Sequence, residues 1–203
     1  MMSLRYGLVS LAALVGLAAC HTPDQQAADQ SIAGTVHLCS SCHGLTGRSV
    51  SPDFPILAGQ QTDYLVAQLH AFRDQTRADP HAHTYMWGMA KHLDDQTIAG
   101  VAAYFAGQPA VNGVPLAVPS VVGAKIFAEG LDDRGIPACI GCHGEHAEGQ
   151  GEIPRLAGQH ATYLAEQLGH FRSNARSNET MHMNALNLTD GEIKDLADYM
   201  ASL

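Results

Sequence analysis

Positive charge is scarce in this chain: 11 Lys and Arg stand against 20 Asp and Glu in 203 residues, a formal charge of −9. Nucleic-acid binding depends on clustered Lys and Arg that neutralise phosphates, so this composition excludes that class of partner and favours a basic or dipolar protein. Long apolar runs are missing as well. The run at residues 6–19, behind Arg5, is too short and weakly flanked for a membrane span and reads as the core of an export signal. No convincing alternating strand pattern is present, which leaves an all-α fold. Large side chains are few for helical units of about eighty residues, a size at which a core usually needs an extra staple.

The first segment ends in Leu17, Ala18, Ala19 and Cys20, which resembles the lipobox of bacterial lipoproteins. Residues 1–19 then form a signal peptide of lipoprotein type and Cys20 is a lipid anchor. The alternative is an ordinary signal peptide cleaved nearby, which leaves Cys20 without a role. His21, rather than Asp, follows Cys20 and favours the outer membrane. On either reading the body of the protein is exported to the periplasm. Residues 20–30 carry the polar string "HTPDQQAADQ" and read as the lipidated cysteine with a flexible tether.

Four cysteines remain, in "LCSSCHG" at 38–44 and "ACIGCHG" at 138–144. In an oxidising compartment a bare CxxC tends to close into a disulfide, so something else should hold these thiols. The likeness extends beyond the cysteines. "FPILAGQQTDYLVAQLHAFR" at 54–73 matches "IPRLAGQHATYLAEQLGHFR" at 153–172, and "MWGMAKHLDDQTIAGVAAYF" at 86–105 matches "MHMNALNLTDGEIKDLADYM" at 181–200. This is a tandem duplication. Residues 31–108 form one domain and 121–203 a second, and 109–120, with Pro109, Pro115 and Pro119, form the linker.

Each half predicts three helices. A short one leads towards the cysteines, at 34–39 and from 123 to about 129; a second covers about 62–73 or 161–172; a third follows Asp94 or Thr189. In the last helix Thr189 and Glu192 match a capping box, and Ile193, Leu196, Ala197 and Met200 recur at one-face spacing, as do Ile98, Val101, Ala102 and Phe105.

A CxxC can bind zinc, exchange disulfides, or add across the two vinyl groups of haem while an adjacent histidine reaches the iron. Zinc would need two further ligands at short range, and the only other thiols stand about a hundred residues away beside their own histidine. A thioredoxin-like dithiol normally accompanies a βαβ pattern, which is absent. Two CxxCH motifs in register therefore point to two haem c groups, held by Cys39, Cys42, Cys139 and Cys142, with His43 and His143 on the iron. A buried cofactor also supplies the apolar volume that the small cores lack.

Met86 and Met181 occupy the same repeat position and are the candidate sixth ligands, since thioether sulfur favours Fe(II) and raises the reduction potential. Met89 and Met183 are the rivals; a two-residue gap brings Met183 into register, so the second half stays open between Met181 and Met183. His92 and His182 have no histidine partner in the other half and read as exposed polar residues. His81 and His83 fall in a four-residue insertion and read as part of a solvated loop. Pro55 and Pro154 stand shortly after the two histidines, where a proline carbonyl can accept the proton on the far imidazole nitrogen.

CxxCH at 39–43 and 139–143, "FPILAGQ", "IPRLAGQH", "GIPACIGCHG" at 135–144 and the M-x-x-x-A-x-x-L pattern at Met86 and Met181 together resemble the dihaem cytochrome c4 group, tandem class I cytochromes c of bacteria. The resemblance covers residues 31–203. It implies two low-spin haems with His/Met ligation, two domains related by a pseudo-twofold axis with the propionates near their interface, and electron delivery in respiration, commonly to a terminal oxidase. The function expected is a shuttle that takes single electrons from a quinol-oxidising complex or another cytochrome. The rival is a dihaem peroxidase-type enzyme with one open haem, against which the matched methionines argue.

Overall fold

The computed structural model describes residues 22–118 and 120–203; Cys20 and the leader before it lie outside them. The chain folds as two successive helical sets. The first comprises α1 (Pro23–His43), α2 (Thr62–Arg73), a π-helical turn (Ala82–Met86) running into the single-turn α3 (Trp87–Ala90), and α4 (Asp95–Ala106). The second comprises α5 (Val121–Glu129), a 3-10 turn (Asp132–Arg134), α6 (Ile140–His143), α7 (Ala161–Arg172), α8 (Glu179–Ala185) and α9 (Asp190–Ser202). Among the described residues the only extended pairings are two isolated bridges, Leu131 with Ile136 and Gln150 with Ile153, so the fold is all-α. No described helix is long and apolar enough to cross a membrane.

In each half one helix organises the rest: α4 packs on α1 and α2, and α9 packs on α5 and α7. The reason is the apolar stripe read from the sequence. Ile98, Val101, Ala102 and Phe105 are all buried, as are Ile193, Leu196, Ala197 and Met200. The capping box of α9 is formed, with Thr189 accepting from the Glu192 N–H and the Glu192 carboxylate accepting from the Thr189 N–H.

Two segments differ from the sequence expectation. The polar stretch read as a tether is the start of α1, which runs unbroken from Pro23 to His43. Its start signals are local: Thr22 caps the Gln25 N–H, Pro23 sits where its missing N–H costs nothing, and Asp24 lies in the first turn. In the second half the helix expected from 123 to about 129 is α5, and the 3-10 turn and the Leu131–Ile136 bridge separate it from the cysteine helix α6. The four-residue insertion carrying His81 and His83 is wound into the π-helical turn rather than left as a loop.

The connection between the halves crosses both of them. The Gly113 N–H donates to the Leu203 carbonyl at 2.6 Å, which ties it to the end of α9. Gly59 and Gly158, from the two "LAGQ" strings, have φ of +66° and +70°; a Cβ on the first would lie 2.6 Å from the Ala110 Cβ, and on the second 2.2 Å from the Val111 carbonyl oxygen. The connection thus passes between two glycine turns at consecutive residues.

Candidate functional site

The last turn of α1 presents Cys39, Cys42 and His43, and α6 with the residue before it presents Cys139, Cys142 and His143. Both histidines are buried. The Nδ1 of His43 lies 2.9 Å from the Pro55 carbonyl oxygen, and that of His143 lies 3.1 Å from the Pro154 carbonyl oxygen. An oxygen acceptor there selects the tautomer with hydrogen on Nδ1, which leaves the Nε2 lone pair available to a metal. Burial holds both imidazoles below the ordinary histidine range, outweighing the carbonyl that favours the charged form, so both rings are neutral as metal ligation requires.

None of Cys39, Cys42, Cys139 and Cys142 is in a disulfide. Burial pushes the Cys39 thiol up and that of Cys139 up to about 11, with the neighbouring cysteine adding to the shift. A redox dithiol needs a stabilised thiolate, so this environment runs against disulfide exchange. Among the described residues no group of three or more His, Cys, Asp or Glu is placed to hold a bare metal ion.

Both motifs open onto one continuous cavity of about 980 Å³ lined mostly by apolar side chains from both halves. That is the upper end of the ~300–1,000 Å³ typical of small-molecule and cofactor sites. Cys39, His43, Cys139, Cys142 and His143 line it, and so do Met86 and Met181. Met89 and Met183 do not; they are exposed. His182 is half-buried with its Nδ1 2.8 Å from the Phe171 carbonyl oxygen, and His83 packs edge-on to Trp87 with ring centroids 4.7 Å apart. His92 is exposed, as expected, whereas His81 lines the cavity and its Nδ1 lies 3.8 Å from the Glu166 carboxylate of the other half.

Where the halves meet, the structure assembles a polar cluster that sequence reasoning missed. Arg77 donates to the Gln68 Oε1 at 2.8 Å and across to the Gln167 Oε1 at 2.9 Å. Arg176 mirrors it, donating to the Gln167 Oε1 at 2.7 Å and across to the Gln68 Oε1 and Tyr64 hydroxyl, both at 2.9 Å. The signal was present in the repeat: Tyr64, Gln68 and Arg77 recur as Tyr163, Gln167 and Arg176 at one constant offset, polar groups kept on helices that otherwise bury apolar ones. The symmetry breaks at one position. Asp79 is fully buried and accepts from the Arg77 Nε at 2.7 Å, whereas its counterpart, Asn178, caps α8 by accepting from the Met181 N–H at 2.9 Å.

This cluster bears on the kind of group the cavity suits. Two buried guanidiniums, each lining the cavity, share one buried carboxylate, Asp79, so among the described residues the cluster itself carries one more positive than negative charge. Uncompensated buried charge is costly, and a cofactor with an apolar body and an anionic edge would relieve it. Paired thiols, neutral imidazoles, apolar walls and two buried guanidiniums together fit haem.

A second reciprocal contact joins the two "LAGQ" turns. Gln159 accepts from the Ile56 N–H at 2.8 Å and donates to the Ile56 carbonyl at 2.9 Å. Gln60 does the same to Arg155, at 2.7 and 2.9 Å. Exchanged contacts of this kind are what a pseudo-twofold relation between tandem domains produces.

The family model for cytochrome c matches twice, at residues 30–108 and 120–203. Cytochrome c4 of Pseudomonas aeruginosa is 38% identical over 205 residues, covering 97% of this chain and 98% of the relative. The chain belongs to the cytochrome c4 family. Cytochrome c-552 of Acidithiobacillus ferridurans is 41% identical over 168 residues, covering 81% of this chain and 73% of the relative. Among solved structures, the cytochrome c4 of Acidithiobacillus ferrooxidans aligns with a TM-score of 0.77 at 42% identity, covering 81% of this chain and 98% of that one. The two tandem cytochrome c domains, with Cys39/Cys42 and Cys139/Cys142, fit two haem c groups, and the chain is a dihaem electron-transfer cytochrome.

Proposed function

We propose that this cytochrome is a single-electron carrier and not an enzyme, working on the periplasmic side of a bacterial membrane. Its domains comprise residues 31–108 and 121–203, joined by 109–120. In the first domain Cys39 and Cys42 would hold the haem and His43 and Met86 would ligate its iron; in the second, Cys139 and Cys142 would hold it and His143 and Met181 would ligate its iron. When bound, haem iron supplies reversible one-electron exchange. The protein's part is to keep the surroundings unchanged between the two oxidation states. The Pro55 and Pro154 carbonyls lock each imidazole in one tautomer. The apolar walls limit water, and thioether donors raise the potential.

The observation that carries this reading is the shared cavity, which gathers both CxxCH histidines with Met86 and Met181 and leaves Met89 and Met183 outside; Met200 also lines it, but as part of the buried core stripe of α9. The cavity favours Met181 over Met183. With a histidine and a methionine both bound, neither iron would offer a position to a substrate, which argues against a peroxidase-type enzyme. The partners are redox proteins: a quinol-oxidising complex or another cytochrome as donor and a terminal oxidase as acceptor. Residues 1–19 act as an export signal and lipidated Cys20 as the membrane tether.

A mass spectrum of the mature protein, read with a visible redox titration, tests the proposal. Two haems, an acylated N-terminal cysteine and a methionine-to-iron absorption band for both haems are expected. A high-spin haem that readily takes up carbon monoxide in one half would overturn the carrier reading in favour of an enzyme.

A further inference from the structure

We propose that Gln60 and Gln159 are cross-domain positioning residues, each setting the donor strength of the axial histidine in the opposite half through one shared peptide group. The inference rests on the proposed ligation by His43 and His143. The Pro55 carbonyl that accepts the His43 Nδ1–H and the Ile56 N–H that donates to Gln159 are the two ends of one amide. In the other half the same unit is the Pro154 carbonyl, facing His143, and the Arg155 N–H, facing Gln60. Each chain runs from a glutamine of one domain, across a peptide plane, to the imidazole of the other.

The coupling has a stated physical basis. An amide whose N–H donates a hydrogen bond becomes a better acceptor at its carbonyl, by about 10–30% per bond in a low-dielectric interior. A better acceptor at Nδ1–H raises the basicity of Nε2, and a more basic ligand favours ferric iron, so the potential falls. The arrangement is built to hold. Both glutamines are buried, so water cannot readily replace them. Each Oε1 also accepts from the next residue's own N–H, from Gln61 at 2.9 Å and His160 at 3.1 Å, which fixes the amide orientation. Each Nε2 donates back to the carbonyl of the residue it reads.

The test uses the full-length holoprotein with Gln159→Leu and Gln60→Leu, which remove the amide at similar volume. Redox titration followed by NMR assigns each wave to its half and reads each histidine Nδ1 proton. Gln159→Leu should raise the potential of the His43 half and move the His43 Nδ1 proton upfield, with the His143 half unmoved; Gln60→Leu should do the mirror image. Should a leucine variant separate the halves, Gln159→Glu carries the test, because a carboxylate is a stronger acceptor and should move the His43 Nδ1 proton downfield. Unmoved Nδ1 protons, or shifts confined to the substituted half, overturn the relay. The unsubstituted protein separates the two levels: if its spectra show two low-spin, histidine-ligated irons, such a failure overturns the relay alone, and if they do not, the ligation beneath it is wrong.

Discussion

His43 and His143 each face a carbonyl at Nδ1 and are held below the ordinary histidine range by burial, so the proposed carrier role turns on the sulfur ligand proposed to pair with each of them. Met86 and Met181 line the cavity, whereas Met89 and Met183 are exposed. Replacing Met86 or Met181 by Ala should abolish the methionine-to-iron band of that half and open it to carbon monoxide. Met89→Leu and Met183→Leu should leave the visible spectrum unchanged, and loss of the band in the Met183 variant would move the ligand to that residue. Cys39, Cys42, His43 and Met86, with Cys139, Cys142, His143 and Met181, were legible as candidates from one sequence because the duplication prints each twice; His81 and Met200, which also line the cavity, were not, because neither has a like residue in the other half. Gln60 and Gln159 were not: "LAGQ" shows that a glutamine recurs, but nothing in a linear string says that it reaches across to the peptide behind the other half's histidine.

At the scale of elements, helices α2, α4, α7 and α9 were readable because each has an apolar face at helical period that another helix covers. The first turns of α1 were not, because they are mostly exposed and carry no such face; their helicity rests on Thr22, Pro23 and continuity with the turns around Val36. The π-helical turn was missed because an insertion without apolar period looks like a loop. Energetics should follow burial. Ile98 is fully buried on α4, and Ile98→Ala should cost about 2–5 kcal/mol by denaturant unfolding. Thr22→Ala, at an exposed cap, should cost at most about 1 kcal/mol. The cap of α9 adds a pH dependence. Hydrogen bonding from Arg134 chiefly, with help from Thr189, lowers the Glu192 carboxyl to about 2 against burial that raises it. A depressed folded value gives stability present in full above about 4.5 and lost as pH falls towards 2. Glu192→Gln should therefore destabilise at neutral pH, and the gap from the unsubstituted protein should narrow through that window in urea titrations.

For the whole molecule, the two halves are locked by groups they exchange: glutamine for backbone at the "LAGQ" turns and guanidinium for amide at the Arg77 and Arg176 cluster. The connection adds a mechanical element, since it runs past Gly59 at Ala110 and past Gly158 at Val111 before reaching its exposed stretch at Val114 and Val118. Gly158→Val would force a side chain into that passage at a positive φ, and the expected result is a lowered melting temperature. The order of these contacts matters for what happens if the chain is cut. A protease that clips the exposed stretch would act beyond the point where the strand is already clasped, so the fragments should still elute together on a sizing column under native conditions. Covalent continuity, in other words, is a convenience of synthesis here, and the partnership of the halves should survive its loss.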